Sequence, residues 1–442
     1  MFWEKEGKLI YSYDGETVCI EAWGKDALRV RATKNRSFTG RDWALEAKDA
    51  HAGEVEIFED PSAKGGAFAN MYEGTDTSYG KITNGKLHAV IDSGSVITFY
   101  HEDGRVLLKE HFRRLRDEES MPLNIMGREY SNGVGDNFRI VTRFVARKGE
   151  KIFGMGQYQQ HELDLKGCML ELAQRNSQVS VPFYLSSIGY GFLWNNPGVG
   201  QVMFANNGTE WVTESGKEID YLVIAGDTPA EIEENYMTLT GKPPMMPEYG
   251  MGFWQCKLRY WNQEQLLSVA RKYKELGVPL DVIVVDFFHW TKQGEFKFDP
   301  KYWPDVPGMC RELKEMGIQV VVSVWPTVDI YSENFEEMKE KGYLVRTEHG
   351  VPLTMLCGGN EVFFDATNPD ARTYVWEKIK KNYYDQGAKL FWLDVAEPEY
   401  SVYDFKNYRY QLGSVQEVGN IYPKYYLKAF YDGMTAEGLS LI

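Results

Sequence analysis

Apolar and polar residues follow two different patterns along this chain, and the change between them divides it. From residue 1 to about 225, short runs cluster or alternate β-branched and aromatic residues, as at 8–13, 17–23, 28–33, 87–91 and 96–100. The same pattern returns at 139–146, 179–185, 191–194 and 201–205. Asp14-Gly15, Asn84-Gly85, Ser93-Gly94 and Asp103-Gly104 punctuate these runs and suit tight hairpin turns. Many short strands without intervening helices predict a β-sandwich. Residues 45–80, with Gly65-Gly66 and scattered acids, form the stretch with the least pattern.

Asp227-Thr228-Pro229 then opens a helix running to about residue 239, and the stiff connector 241–247 follows it. The expected domains are a β-sandwich over 1–240 and a second domain over 241–442. In the second, amphipathic helices are predicted at 263–276, 306–316, 369–386 and 423–437. Glycine follows each of them: Gly277, Gly317, Gly387 and Gly438. Short apolar runs at 252–255, 282–286, 320–325 and 390–394 read as strands buried on both faces. This βα repetition predicts a parallel sheet, here part of a (β/α)8 barrel. Four βα units can be counted, and residues 439–442 read as the start of a fifth strand. Such a half-barrel would leave an apolar edge unpaired, so the chain is expected to be a piece of a longer protein.

The charge narrows the partners. A formal net charge of -15 argues against nucleic acid or an anionic membrane surface. The five cysteines are odd in number and scattered without a CxxC pair, which indicates neither a disulfide framework nor zinc. With no apolar leader and no run of membrane-spanning length, the expectation is a cytoplasmic protein. Oligomeric state stays open, a homo-oligomer of the longer protein included. Two other features carry little. Gly154-Met155-Gly156 lacks the third glycine and the helix of a dinucleotide fingerprint, and the basic cluster 111–116 suits a solvated face.

Candidate chemistry gathers where the predicted strands end. Asp286, Trp325 and Asp394 each close an apolar run, and Glu397 and Glu399 follow Asp394 closely. Strand ends of this kind build the active face of α/β barrels. Asp394 alone could equally cap the next turn. Asp286, Asp394 and Glu397 could also ligate a divalent metal, but that chemistry expects a nearby base, and only His289 is available. No metal or cofactor is expected.

Four stretches together resemble glycoside hydrolase family 31, which holds α-glucosidases and α-xylosidases. They are Val284-Val285-Asp286-Phe287-Phe288-His289-Trp290, Phe298-Asp299-Pro300 with Trp303-Pro304-Asp305, Ser323-Val324-Trp325-Pro326, and Trp392-Leu393-Asp394-Val395-Ala396-Glu397-Pro398. The resemblance covers nearly the whole chain and implies roles. Asp394 matches the catalytic nucleophile and Glu397 an acid that organises the site. Asp286 matches a carboxylate that binds sugar hydroxyls, and Trp325 an aromatic wall. Asn176 falls where a loop of the β-sandwich reaches the sugar, although many relatives carry Asp there. The family's acid/base is an aspartate on a later strand, so the chain is expected to lack it and to be inactive alone on natural substrates. Phe287 and Phe288 stand where glucose-acting relatives have smaller groups. That bulk, and the Asp-x-Ala-Glu-Pro-Glu-Tyr run, resemble the α-xylosidase branch. The expected activity is therefore release of terminal α-linked xylose from an oligosaccharide. Glucose release and sugar binding without turnover are the alternatives.

Overall fold

The computed structural model describes residues 1–46, 50–61, 77–111, 113–115, 123–349, 360–400 and 404–438. The predicted start of a fifth strand at 439–442 lies outside these, as do Cys357 and much of the stretches 45–80 and 111–116. The chain divides into two compact units, Met1–Pro243 and Pro244–Ile442.

The first unit is a β-sandwich whose larger sheets are antiparallel throughout. One sheet runs in the order Phe2–Lys5, Lys8–Tyr13, Glu16–Trp23, Ala27–Thr33, Ile219–Ala225, Tyr190–Trp194, Val179–Ser186, Ile152–Gln157. A second has five strands between Glu54–Phe58 and Val106–Lys109, and a third five between Arg128–Asn132 and Met169–Leu172. Asp14 and Gly15 both take positive φ, 49° and 73°, as a two-residue hairpin turn requires. Two features differ from expectation. The stretch after residue 45 contains the strand Glu54–Phe58, in which Val55 and Ile57 pack on the core while Glu54 and Glu56 face outward. Two of its acids, Glu54 and Glu56, are outward positions of a sheet's outermost strand. Gly154-Met155-Gly156 is a β-bulge, where the register of Ile152–Gln157 shifts and all three residues take positive φ.

One core joins the three sheets, with Ile20, Ile97, Phe144, Phe192 and Trp211 among its members. Inside it sits a buried cation. Arg128 donates to both carboxylate oxygens of Glu16, at 2.9 and 3.0 Å, and also to Glu110. Further donation goes to the Ser95 carbonyl at 2.9 Å and hydroxyl at 2.7 Å. Glu16 lies on the first sheet, Arg128 on the third, and Ser95 and Glu110 flank strands of the second. A single guanidinium therefore ties all three, and each of its three nitrogens has a partner.

In the second unit, the four parallel strands are labelled β1 (Trp254–Gln255), β2 (Val282–Val285), β3 (Gln319–Val324) and β4 (Leu390–Leu393). The helices after them are α1 (Gln263–Glu275), α2 (Val306–Glu315), α3 (Pro369–Asn382) and α4 (Tyr422–Ala436). This is a partial barrel of the expected kind, with only part of the parallel sheet formed. Polar side chains start three of the helices: Asn262 accepts from the Gln265 amide, Asp305 from Gly308 and Asn368 from Asp370. Gly277, Gly317, Gly387 and Gly438 all take positive φ, the conformation that ends a helix. Sequence pattern missed the segment between β3 and α3. There, the strands Thr327–Asp329 and Glu361–Phe363 pair, and Phe335–Glu340 forms a short helix. Elements this short do not repeat a period often enough to be read.

The Arg128 cluster yields a stability prediction. Replacing Arg128 by Leu leaves Glu16 and Glu110 buried without their cation, and breaking such a pair costs about 3–5 kcal/mol. Urea unfolding of Arg128→Leu should show a loss of that size, and Arg128→Lys should recover only part of it. A loss below about 1 kcal/mol for the leucine variant would show that the three sheets hold together without this tie.

Candidate active site

Each strand of the second unit has one face toward helices and one away from them. Phe391 on β4 meets Phe430 of α4 at 5.3 Å, so its face is the helix-covered one. Val282, Val284, Val321 and Leu390 cluster together on the opposite face. On that face Trp254 of β1 and Trp392 of β4 approach to 6.4 Å between ring centroids. In a flat sheet, three strand spacings alone would separate them by about 14 Å. The sheet is thus curled toward this face, as the wall of a barrel must be.

Register then places the carboxylates. Val285 pairs with Val322, and Val324 pairs with Leu393. Asp286, Trp325 and Asp394 are consequently the first residues beyond β2, β3 and β4. Asp286 is level with Ser323 and Trp392, whereas Asp394 is level with Trp325, two residues further along. The strand period of two, carried one residue past each strand, puts Asp286 and Asp394 on the concave face with Val284 and Leu390.

Both carboxylates are held in the same way. Asp286 Oδ1 accepts from the Phe287 amide at 2.8 Å, and Asp394 Oδ1 accepts from the Val395 amide at 3.0 Å. Strained backbone follows each, with φ of 62° at Phe288 and 57° at Val395. Positive φ is rare for bulky and β-branched residues and is found where a site over-determines it. The remaining oxygen of Asp286 accepts from Cys256 Sγ at 3.5 Å. Burial and the neighbouring Asp286 charge push the Cys256 thiol up to about 11, so it stays a protonated donor. Beneath Asp394, the carbonyl of Val324 accepts twice, from the Asp394 amide at 3.1 Å and from the Tyr426 hydroxyl at 2.9 Å.

The other predicted residues divide as follows. Phe287 lies flat on Trp325, with centroids 5.1 Å apart and planes within 17°. Phe288 packs against Phe287 at 4.3 Å and keeps an exposed face. Glu397 is half-buried, and its Oε2 has no hydrogen-bond partner among the described residues. Burial, then the charges of Glu399 and Asp394, raise its carboxyl above the ordinary range. Asn176 belongs to the first unit, on the turn closed by the Arg175–Gln178 bridge, where it accepts from Ser177 Oγ at 3.0 Å. Asp286, Asp394 and Glu397 do not form a metal-holding group; no set of three His, Cys, Asp or Glu does so among the described residues. A separate small, open pocket is bounded by Trp290, Gln293, Val324, Trp325 and Tyr383. Neither Asp286 nor Asp394 lines it.

Sequence reasoning missed Cys256 and Tyr426. Cys256 directly follows β1 just as Asp286 follows β2, so the strand-end rule applied to the first strand would have found it. Tyr426 stands four residues from Tyr422 and Phe430 on α4, an ordinary core spacing with no signal of its contact to Val324.

His289 fixes the loop after β2. Its Nδ1 lies 3.0 Å from the Asp286 carbonyl and its Nε2 lies 2.9 Å from the Tyr383 hydroxyl. Burial pushes the imidazole down from 6.5 to about 4. Between those values the unfolded chain takes up a proton that the folded chain does not. The stabilising contribution is therefore complete above pH 6.5 and is lost as the pH falls toward 4, a difference of about 3 kcal/mol. Urea unfolding across this range should show a pH slope in the wild type that His289→Gln lacks. Parallel stability curves for the two proteins would contradict this account of the loop.

Known proteins resemble the chain at both levels. Residues 243–439 match the family described as glycosyl hydrolases family 31 TIM-barrel domain. An uncharacterized family 31 glucosidase of Pseudescherichia vulneris is 46% identical over 98% of this chain and 81% of its own length. Alpha-xylosidase A of Aspergillus niger is 30% identical over 95% of this chain and 59% of its own. Among solved structures, a family 31 α-xylosidase from a soil metagenome, complexed with xylose, superposes with a TM-score of 0.92 at 50% identity. It covers 100% of this chain, which spans only 64% of that protein.

Proposed function

Because the chain belongs to family 31 of the glycosyl hydrolases, we propose that it serves retaining hydrolysis of α-glycosides, with terminal α-linked xylose as the sugar released. The observation that carries this reading is the register. It sets Asp286 and Asp394 on one concave face, either side of the Trp325 strand end.

In this reading, Asp394 as carboxylate attacks the anomeric carbon. The bond to the leaving oxygen breaks, and a glycosyl ester forms that water later hydrolyses. The amide of Val395 holds one oxygen of that carboxylate and so orients the other. Glu397, whose carboxyl is raised by burial and by the charges of Glu399 and Asp394, would help to order the site. Asp286 binds sugar hydroxyls, its side chain steadied by Phe287 N–H and Cys256 S–H. Phe287, pressed flat on Trp325, fills space that a hydroxymethyl group would need, which favours xylose over glucose. Asn176 is kept as a substrate-binding residue on the family resemblance alone. The general acid is the family's aspartate on a later strand of the barrel. The substrate is an oligosaccharide, and a neutral one suits the acidic chain.

An activated sugar tests this reading, because fluoride leaves without a proton whereas an alkoxide needs general acid assistance. Incubation with α-xylosyl fluoride, followed by mass spectrometry of the peptide spanning 392–399, should show one xylosyl unit on Asp394. Phe287→Ile should raise labelling by α-glucosyl fluoride relative to the xylosyl reagent by about ten- to a few hundred-fold. Binding of xylose without any label would favour the sugar-binding alternative. Label on another carboxylate would remove Asp394 from the role, and an unchanged ratio would mean that Phe287 does not read the sugar.

A further inference from the structure

Beyond β3, the antiparallel pair of short strands sets two carboxylates directly against each other. Asp329 pairs with Glu361, and Thr327 with Phe363. The Ile330 amide donates to the Asn360 carbonyl at 3.0 Å, and the Phe364 amide to the Pro326 carbonyl at 2.9 Å. Hydrogen-bonded positions alternate along such a pair. Asp329–Glu361 and Thr327–Phe363 are therefore the non-hydrogen-bonded positions, where opposed side chains stand closest. Glu361 is 2% exposed, Thr327 and Phe363 are fully buried, and Asp329 is half-buried.

Like charges directly opposed across two strands repel, and burial adds the cost of desolvation. A neighbouring cation would relieve both, but Asp329 is the only charge acting on Glu361 among the described residues. Glu361 Oε2 receives no hydrogen bond from any of them. A proton is the remaining neutraliser, held on one carboxyl and donated to the other. Glu361 keeps it, because Glu361 is the more buried. Burial and then the Asp329 charge, against the Thr327 hydroxyl, push its carboxyl up to about 7. Asp329 is the better solvated acceptor, and its Oδ1 already takes the Tyr331 amide at 2.7 Å.

This pair links two parts of the candidate site. Thr327 follows Trp325 by two residues, at the end of β3. On the other strand, the Phe363 ring meets Tyr400 edge-on at 5.2 Å. The Tyr400 amide donates to the Pro398 carbonyl at 2.9 Å, next to Glu397. Ionising Glu361 sets two anions face to face and drives these two strands apart. We propose that Glu361 is a positioning residue that acts while it holds a proton shared with Asp329, keeping the Trp325 end of β3 and the loop of Glu397 in place. The positioning role rests on the reading of Asp394 as nucleophile, whereas the place of the proton does not.

Infrared titration of the full chain locates the proton. The difference between wild type and Glu361→Gln should contain a protonated-carboxyl band at about pH 6 that disappears across about pH 7. Asp329→Asn removes the neighbouring charge, so the same band should disappear at lower pH. That second variant alters a half-buried side chain and keeps the test open if the glutamine variant does not fold. Labelling of Asp394 by α-xylosyl fluoride reads the positioning. Its rate in wild type should fall about tenfold between about pH 6 and about pH 8.5, a modest share of what a 1 Å misplacement costs. Glu361→Gln, neutral throughout, should change by less than about twofold. No band, a band unmoved by Asp329→Asn, or its replacement by stabilisation with calcium chloride would overturn the shared proton. An alkaline fall that persists in Glu361→Gln would overturn the positioning role. Absence of label at every pH would remove Asp394 from its role and the positioning role with it, while the band would still locate the proton.

Discussion

Backbone pairing between parallel strands is the constraint on which the candidate site depends. Four strands run the same way, so their carboxyl ends share one edge, and any side chain just beyond a strand faces that edge. The pairs Val285–Val322 and Val324–Leu393 fix the offset between Asp286 and Asp394 before any side-chain contact is made. A slip of one residue in either pair would turn a carboxylate to the helix-covered face. Apolar side chains on both faces make such a slip costly, since Ile283 and Val284 are buried on opposite sides of the same strand.

Side chains then sharpen what the backbone has placed. The amides of Phe287 and Val395 turn Asp286 and Asp394 into fixed acceptors, and the neutral His289 pins the loop between Asp286 and Tyr383. Electrostatics follow from burial more than from pairing. Glu397 and Cys256 are both held toward their protonated forms by desolvation first and by neighbouring carboxylates second. The first unit solves the opposite problem. Two of its buried carboxylates, Glu16 and Glu110, share one guanidinium.

Much of this was legible in the sequence because it depends on long-period patterns. Four apolar runs each closed by a polar or aromatic residue, with a glycine before each later run, are enough to predict parallel strands and the edge they share. The motifs around Asp286, Trp325 and Asp394 added the family resemblance. What could not be read depends on contacts between distant residues. Cys256 meets Asp286 across 30 positions, and Tyr426 reaches Val324 across 102. The bulge at Gly154-Met155-Gly156 was seen as glycines but could not be seen as a register shift, which requires its partner strand. The antiparallel pair Thr327–Asp329 and Glu361–Phe363 escaped because three residues carry no period.

The central claim is that Asp286 and Asp394 serve one sugar ring on one concave face. A crystal structure of this chain soaked with xylose tests it most directly. The account predicts hydrogen bonds from xylose hydroxyls to Asp286, with the anomeric carbon about 3–3.5 Å from a carboxylate oxygen of Asp394. Xylose bound with its anomeric carbon turned away from Asp394, or held at a place that Asp286 does not touch, would contradict it.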